Sequence, residues 1–242
     1  MLYVNGKIRQ GLDTNHRSAL ITERGETDIH LYAYTGYPVD DNLLLRMSVQ
    51  EIDEEVEGLY YDLLVPYQML GYLSQGSIEY FEVLTAANDA VNLLDLRNLG
   101  SESFKKSVAV AREALKKSFY ESGKFVSNGK VVCFGNTHID LAYLWPVRQT
   151  VEKVQRSFAT ALSLLDRYPE YTFMSSQVPL YKWVKKENPE LYSRVLEKIA
   201  EGRWQVEGGM YCQADCNLAG GEGLVRQFLY GKNFYKNELG SD

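Results

Sequence analysis

From Lys130 onward the sequence alternates between two hydrophobic periods, and this alternation restricts the possible folds more than any other feature. KVVCFG is a short apolar run of the kind that forms a buried strand. VRQTVEKVQRSFATALSLLDRYP then places Val151, Val154, Phe158, Leu162 and Leu165 on one helical face, and Pro169 stops it. YTFMSS reads as a second strand. VPLYKWVKKENPELYSRVLEKIAEG reads as a helix in two pieces, broken near Pro189. RWQVEGGM is a third strand and GEGLVRQFLYGKNFYKNEL a third helix. Strand–helix–strand–helix requires crossover connections and therefore a parallel sheet or barrel. Three such units do not close a barrel.

The residues before Lys130 have a different texture. The stretch to about residue 47 reads as strands. YVNGKI carries an Asn5-Gly6 turn between β-formers. TDIHLYAYTGYP alternates, with Ile29, Leu31 and Ala33 on one side and His30, Tyr32 and Tyr34 on the other, and LLLRMSV is a further strand candidate. This is the edge of a β-sandwich, too short to be stable alone. From about Gln50 to Glu121 the pattern is helical. The expected faces are Ile52, Val56, Leu59, Leu63 and Leu64, then Val83, Ala87, Val91 and Leu94, then Phe104, Val108, Ala111, Leu115 and Phe119. Ser101 or Ser103 caps the third helix, and Gly100 and Gly76-Ser77 mark breaks. The expected domains are therefore residues 1–47, 48–125 and 126–242.

Bulk properties exclude several functions. A net charge of −6 argues against a nucleic-acid partner. No run of eighteen apolar residues exists, so no membrane span is expected. MLYVNGKIRQG lacks the apolar core of a secretory signal. Cys133, Cys212 and Cys216 follow no disulfide framework, which suits the cytoplasm.

In parallel α/β folds the working residues lie in the loops that leave the carboxyl ends of the strands. Three such loops are legible: GNTHIDLAYLWP, SSQVPLY and GGMYCQADCNLAGGEG. They bring His138, Asp140 and Asp215 to one end of the sheet. One imidazole and two carboxylates suit a divalent metal. In an extended segment the i, i+2 spacing of His138 and Asp140 points both side chains the same way. Each residue also has a plainer reading: His138 as a hydrogen-bonded loop histidine, Asp140 as a helix cap, Asp215 with Asn217 as a turn, and Tyr143 and Trp145 as packing.

GNTHIDLAYLWPVRQTVEKVQRSFATALSLLDRYPEYTFMSSQ, followed by LYKWV, NPELY, EGRW and GGMYCQADCNLAGGEGLVRQFLYGKNFY, resembles the glycoside hydrolase family 38 α-mannosidases. It is most similar to the branch of bacteria, fungi and the animal cytosol. QEIDEEVEGLYYDL at 50–63 and NLLDLR at 92–97 resemble the segment before that family's catalytic domain. The resemblance implies an α/β fold containing the first three βα units of a seven-stranded α/β barrel. A helical segment and the end of a β-sandwich domain would precede them. It implies one zinc (cobalt or calcium would suit the same donors) held by His138, Asp140 and Asp215. Asp215 would also be the nucleophile of a retaining hydrolysis of terminal α-linked mannose from oligosaccharides, with Tyr143 stacking on the sugar.

The chain departs from the family pattern in three places. Relatives usually carry Trp where this chain has Tyr143. The loop after Asp215 reads Ala219-Gly220-Gly221-Glu222-Gly223 where Pro-Ser-Gly-Glu-Ser is usual. The family's fourth ligand, a histidine, and its acid/base carboxylate fall beyond residue 242. Three outcomes are therefore open: a zinc-dependent α-mannosidase, whole or in part; an inactive carbohydrate-binding remnant of the fold; or another metallohydrolase such as a deacetylase. The last needs further nitrogen ligands in a chain with only 3 His. A homo-oligomer would form through regions outside this chain.

Overall fold

The computed structural model describes residues 1–33, 46–125 and 129–241. It divides into two compact units, Met1–Leu44 with Val132–Asp242, and Leu45–Val131.

In the first unit, β4 (Gly135–Asn136), β5 (Phe173–Ser175) and β6 (Trp204–Val206) form a parallel sheet in the order β4-β5-β6. Phe173 pairs with Gly135 on one side and with Trp204 on the other. α4 (Val147–Arg167) connects the first pair of strands, and α5 (Val178–Glu187) with α6 (Pro189–Ala200) the second. α7 (Gly221–Phe234) follows β6. The strand–helix alternation legible in the sequence is thus present. α4 ends where Tyr168 turns extended (φ −119°, ψ 103°), as a residue before proline must. The break at Pro189 is real: Asn188 accepts the Leu191 N–H as the cap of α6, and proline takes the first helical position.

These elements meet around four aromatic rings. Trp204 lies 4.6 Å from Phe173 and 4.8 Å from Phe158, and Phe158 5.5 Å from Tyr181, measured between ring centroids. All four are buried. At about 150–250 Å² per ring and ~25 cal/mol per Å², their burial contributes on the order of 20 kcal/mol before conformational entropy is deducted. The polar atoms inside are paired. Trp204 Nε1 donates to the Tyr181 hydroxyl (3.0 Å), which donates to the Ser175 carbonyl (2.9 Å).

KVVCFG departs from expectation. Only Gly135–Asn136 is strand, while Val131, Val132 and Phe134 are exposed. β4 is the edge of the sheet and pairs with β5 over two residues only. Its outer side therefore meets no partner strand among the described residues.

β1 (Leu2–Val4), β2 (Lys7–Gln10) and β3 (Ile29–Leu31) form an antiparallel sheet in the order β2-β1-β3. Asn5 (φ 51°) and Gly6 (φ 78°) make the two-residue turn that their sequence predicts. This sheet packs within the same compact unit. Gly11 exchanges hydrogen bonds with the Thr160 hydroxyl of α4, and the Ile8 carbonyl accepts from Arg194 of α6. The alternation at 29–33 does not become a buried face, since Ile29 is exposed and Leu31 half-buried. Tyr34 and residues 43–45 lie outside the described residues, and Arg46–Val49 form no strand.

The second unit contains α1 (Glu54–Leu70), α2 (Ile78–Asn92) and α3 (Glu102–Leu115), capped by Asp53, Ser77 and Ser101. The expected phase of α2 is off by one residue. Val83, Ala86 and Ala90 are buried, and Val91 is exposed. Two alanines let the neighbouring helices approach, so small size outweighs hydrophobicity in choosing the face. α1 contains Pro66, which has no N–H for the Asp62 carbonyl one turn earlier. The Tyr120 hydroxyl donates to that carbonyl instead (2.8 Å). Among the described residues no helix is long and apolar enough to cross a membrane.

Tyr120→Phe is expected to destabilise the helical unit by about 1 kcal/mol in urea unfolding. Pro66→Ala should recover most of that loss by restoring a backbone donor, and a double mutant no more stable than Tyr120→Phe would disprove the substitution of hydroxyl for amide. In the first unit, burial pushes Tyr181 above the ordinary phenol range and lifts Tyr235 to about 12. Burial, then the charge of Glu238, lifts Tyr192 to about 12. The folded state holds these protons after the unfolded chain would release them. Stability should therefore be complete below about pH 10 and fall as pH rises from roughly 10 to 12. Circular dichroism flat across that window would contradict this.

Candidate active site

Parallel strands place the loops after β4, β5 and β6 at one end of the sheet. In the first loop the extended backbone alternates: Ile139 is buried in the core and its neighbours His138 and Asp140 face outward. The i, i+2 spacing has the expected result. His138 Nε2 lies 2.9 Å from Asp140 Oδ1.

Behind the pair the loop is held by α4. Thr150 is fully buried; its hydroxyl donates to the Leu141 carbonyl (2.7 Å) and accepts from Trp145 Nε1 (3.0 Å). Lys153 Nζ stands 4.2 Å from the centre of the Trp145 ring. Trp145 is therefore part of the support. Tyr143 is 76% exposed, and its ring is available to a ligand.

The third loop begins at Gly208 (φ 101°) and Gly209 (φ 67°), backbone conformations that side chains rarely adopt. It is then stitched to α7. The Tyr211 N–H donates to the Gln227 carbonyl, and the Cys212 N–H to the Gln227 side chain, both at 2.8 Å. Gly231 makes this approach possible. A Cβ there would meet the Gly209 carbonyl oxygen and lie 2.5 Å from Met210 C and 2.6 Å from Tyr211 N. Asp215 follows on the exposed part of the loop, where its carbonyl accepts the Leu218 and Ala219 N–H groups (both 3.1 Å) in a turn.

The structure thus brings His138 and Asp140 together and does not bring Asp215 to them. Among the described residues no three His, Cys, Asp or Glu side chains gather closely enough to hold a metal ion. The donor types fit a divalent cation; two adjacent donors do not complete a site. The cause is distance along the chain. His138 comes two residues after the end of β4, whereas Asp215 comes nine after Val206 at the end of β6. A strand aims what immediately follows it, and a long loop answers to its own contacts.

Gln177, in the second loop, has no distinguishing signal in the sequence. It is buried, its φ is 73°, and its side chain reaches both other loops. A polar residue between a strand and a helix reads as a solvated turn, and only the packed structure reveals a buried carboxamide.

A parallel sheet with an imidazole and two carboxylates in the loops at the carboxyl ends of its strands has its polar groups where α/β folds place their binding sites. Residues 128–242 match the glycosyl hydrolases family 38 N-terminal domain, and this part of the chain belongs to that family. It is 34% identical to alpha-mannosidase G of Dictyostelium discoideum, over 84% of this chain and 18% of that protein. It is 36% identical to human alpha-mannosidase 2C1, over 81% of this chain and 18% of the relative. Against the alpha-mannosidase of Saccharomyces cerevisiae it is 32% identical, over 84% and 20%. The chain therefore spans about a fifth of the length of the curated relatives it matches.

Gly231→Ala should displace the third loop from α7. The expected loss is about 1–3 kcal/mol, as for other forced insertions into packed contacts. Limited proteolysis should then cut first within residues 208–216. An unchanged cleavage pattern would show that the contact does not hold the loop.

Proposed function

We propose that this chain carries the nucleophile-bearing part of an α-mannosidase active site. The observation that supports it most directly is the outward-facing His138–Asp140 pair at the end of β4, in a chain similar to alpha-mannosidases over most of its length. On this reading β4–α7 are the opening units of a seven-stranded α/β barrel. The helices of 48–125 precede it as a connector, and the strands of 1–47 end a β-sandwich domain.

Asp215 is the nucleophile. Its carboxylate attacks the anomeric carbon of a terminal α-mannoside, and the glycosidic C–O bond breaks as the leaving oxygen takes a proton from an acid supplied outside this chain. A glycosyl ester remains, and water cleaves it with retained configuration. Tyr143 stacks on the sugar. His138, Asp140 and Asp215 would hold one zinc, which would supply Lewis acidity to the sugar hydroxyls. The substrate is an α-mannoside oligosaccharide and the setting the cytoplasm, a proposal supported by three free cysteines.

Asp215 standing apart from the pair favours a second reading, a carbohydrate-binding remnant without turnover. Two measurements separate them. Zinc titrated calorimetrically into the chain should bind weakly, because the described donors are few, and His138→Ala should abolish that binding. In a polypeptide that joins this sequence to the segments that follow it in the relatives, Asp215→Ala should lower turnover of an aryl α-mannoside by about 10⁴-fold or more. Turnover that survives Asp215→Ala removes the nucleophile assignment. Mannoside binding with no turnover in that polypeptide establishes the remnant. The chain alone is expected to turn over none, and Asp215-dependent turnover by it would overturn that expectation.

A further inference from the structure

We propose that Gln177 is the positioning residue of this site, a single buried carboxamide that sets the loop carrying His138 and Asp140 against the loop carrying Asp215. The proposal rests on the site assignment above. Gln177 Nε2 donates to the carbonyl of Ile139 (2.9 Å), the residue between His138 and Asp140. Its Oε1 accepts the Gln213 N–H (3.2 Å), two residues before Asp215. The partners fix the orientation of the amide, since a carbonyl can only accept and an N–H only donate. A glutamine carboxamide supplies both a donor and an acceptor at this reach. A glutamate carboxylate would put an acceptor against the Ile139 carbonyl, and asparagine is one methylene short.

Three further observations distinguish this from an ordinary loop contact. The side chain is buried, so either bond left unmade would strand a polar group away from water. The backbone sits at φ 73°, a region that a residue with a Cβ enters only when its surroundings compel it, and such strain gathers at functional sites. The neighbouring backbone is tied to the same loop: the Val178 N–H donates to the Tyr211 carbonyl (2.8 Å). The Tyr235 hydroxyl donates to the Met210 carbonyl of that loop (3.3 Å). The second loop carries no ligand or nucleophile in the assignment above. Its work is to hold the two loops that do.

The test uses the 242-residue chain with Gln177→Leu and Gln177→Gly. Leucine keeps the bulk and loses both hydrogen bonds. Glycine also loses them but relieves the backbone, so it guards against a variant that merely fails to fold. Amide exchange by NMR should quicken by about tenfold at Gln213 and across residues 138–141 in both variants, while α4 and α6 keep their protection. The melting temperature of Gln177→Gly should move by less than about 4 °C. His138-dependent zinc affinity should fall about tenfold or more, as for other groups that orient ligands from behind. Unchanged exchange at Gln213 overturns the proposal. Faster exchange with unchanged zinc affinity also overturns it, leaving Gln177 a structural tie. If the unaltered chain has no His138-dependent zinc binding, the metal assignment fails instead, and loop exchange alone decides the clamp.

Discussion

The contact between Trp204 and Phe173 is the one on which the rest of the first unit depends. These residues are register partners on the paired strands β6 and β5, and their rings also pack at a tilt of 58° in the core. Phe158 brings α4 onto them and Tyr181 brings α5. Short strands contribute few ladder bonds, so the sheet is held in register mostly by these side chains. The Tyr181 hydroxyl accepts from Trp204 and donates to the Ser175 carbonyl, so the last residue of β5 is set by the same cluster. Two residues later the chain reaches Gln177. The loops inherit their starting positions from that core.

The carboxyl end of the sheet is organised as a set of ties behind exposed functional groups. Thr150 holds the Leu141 carbonyl, Gln227 holds Tyr211 and Cys212, and Gln177 holds both loops. Each tie is a polar side chain that satisfies backbone groups a loop would otherwise leave to water. His138 and Tyr143 stand in front and are exposed, with Asp140 half-buried beside them. A site built to bind a polar ligand has this division: rigid, satisfied groups inside and available ones outside. Asp215 lies furthest from such support, held by its own turn.

Much of this was legible in the sequence because periodicity reports burial. α4, the break between α5 and α6, the Asn5-Gly6 turn and the cap at Ser101 each follow from a local rule that nothing contradicts. The misreadings have a common physical origin. In α2 the buried face passes through Ala86 and Ala90 because helix spacing favours small residues there. KVVCFG is apolar enough for a core strand, yet five of its six residues form no strand, because pairing needs a neighbour and β4 has one for two residues only. At 29–33 the alternation is present without a covering layer among the described residues.

The sequence by itself determined the α/β character of residues 130–241, the three loops at one end of the sheet, and the outward His138–Asp140 pair. These depend on interactions between residues near in the chain: helical period, turn chemistry, and the two-residue alternation of an extended backbone. Tertiary structure alone decided that Trp145 is a support and Tyr143 is open, that Asp215 stands apart from the pair, and that Gln177 spans two loops. Those outcomes turn on which groups, 36 and 38 residues apart, meet away from water. No local pattern encodes that meeting, because the free energy of a buried hydrogen bond belongs to the packed environment around both partners.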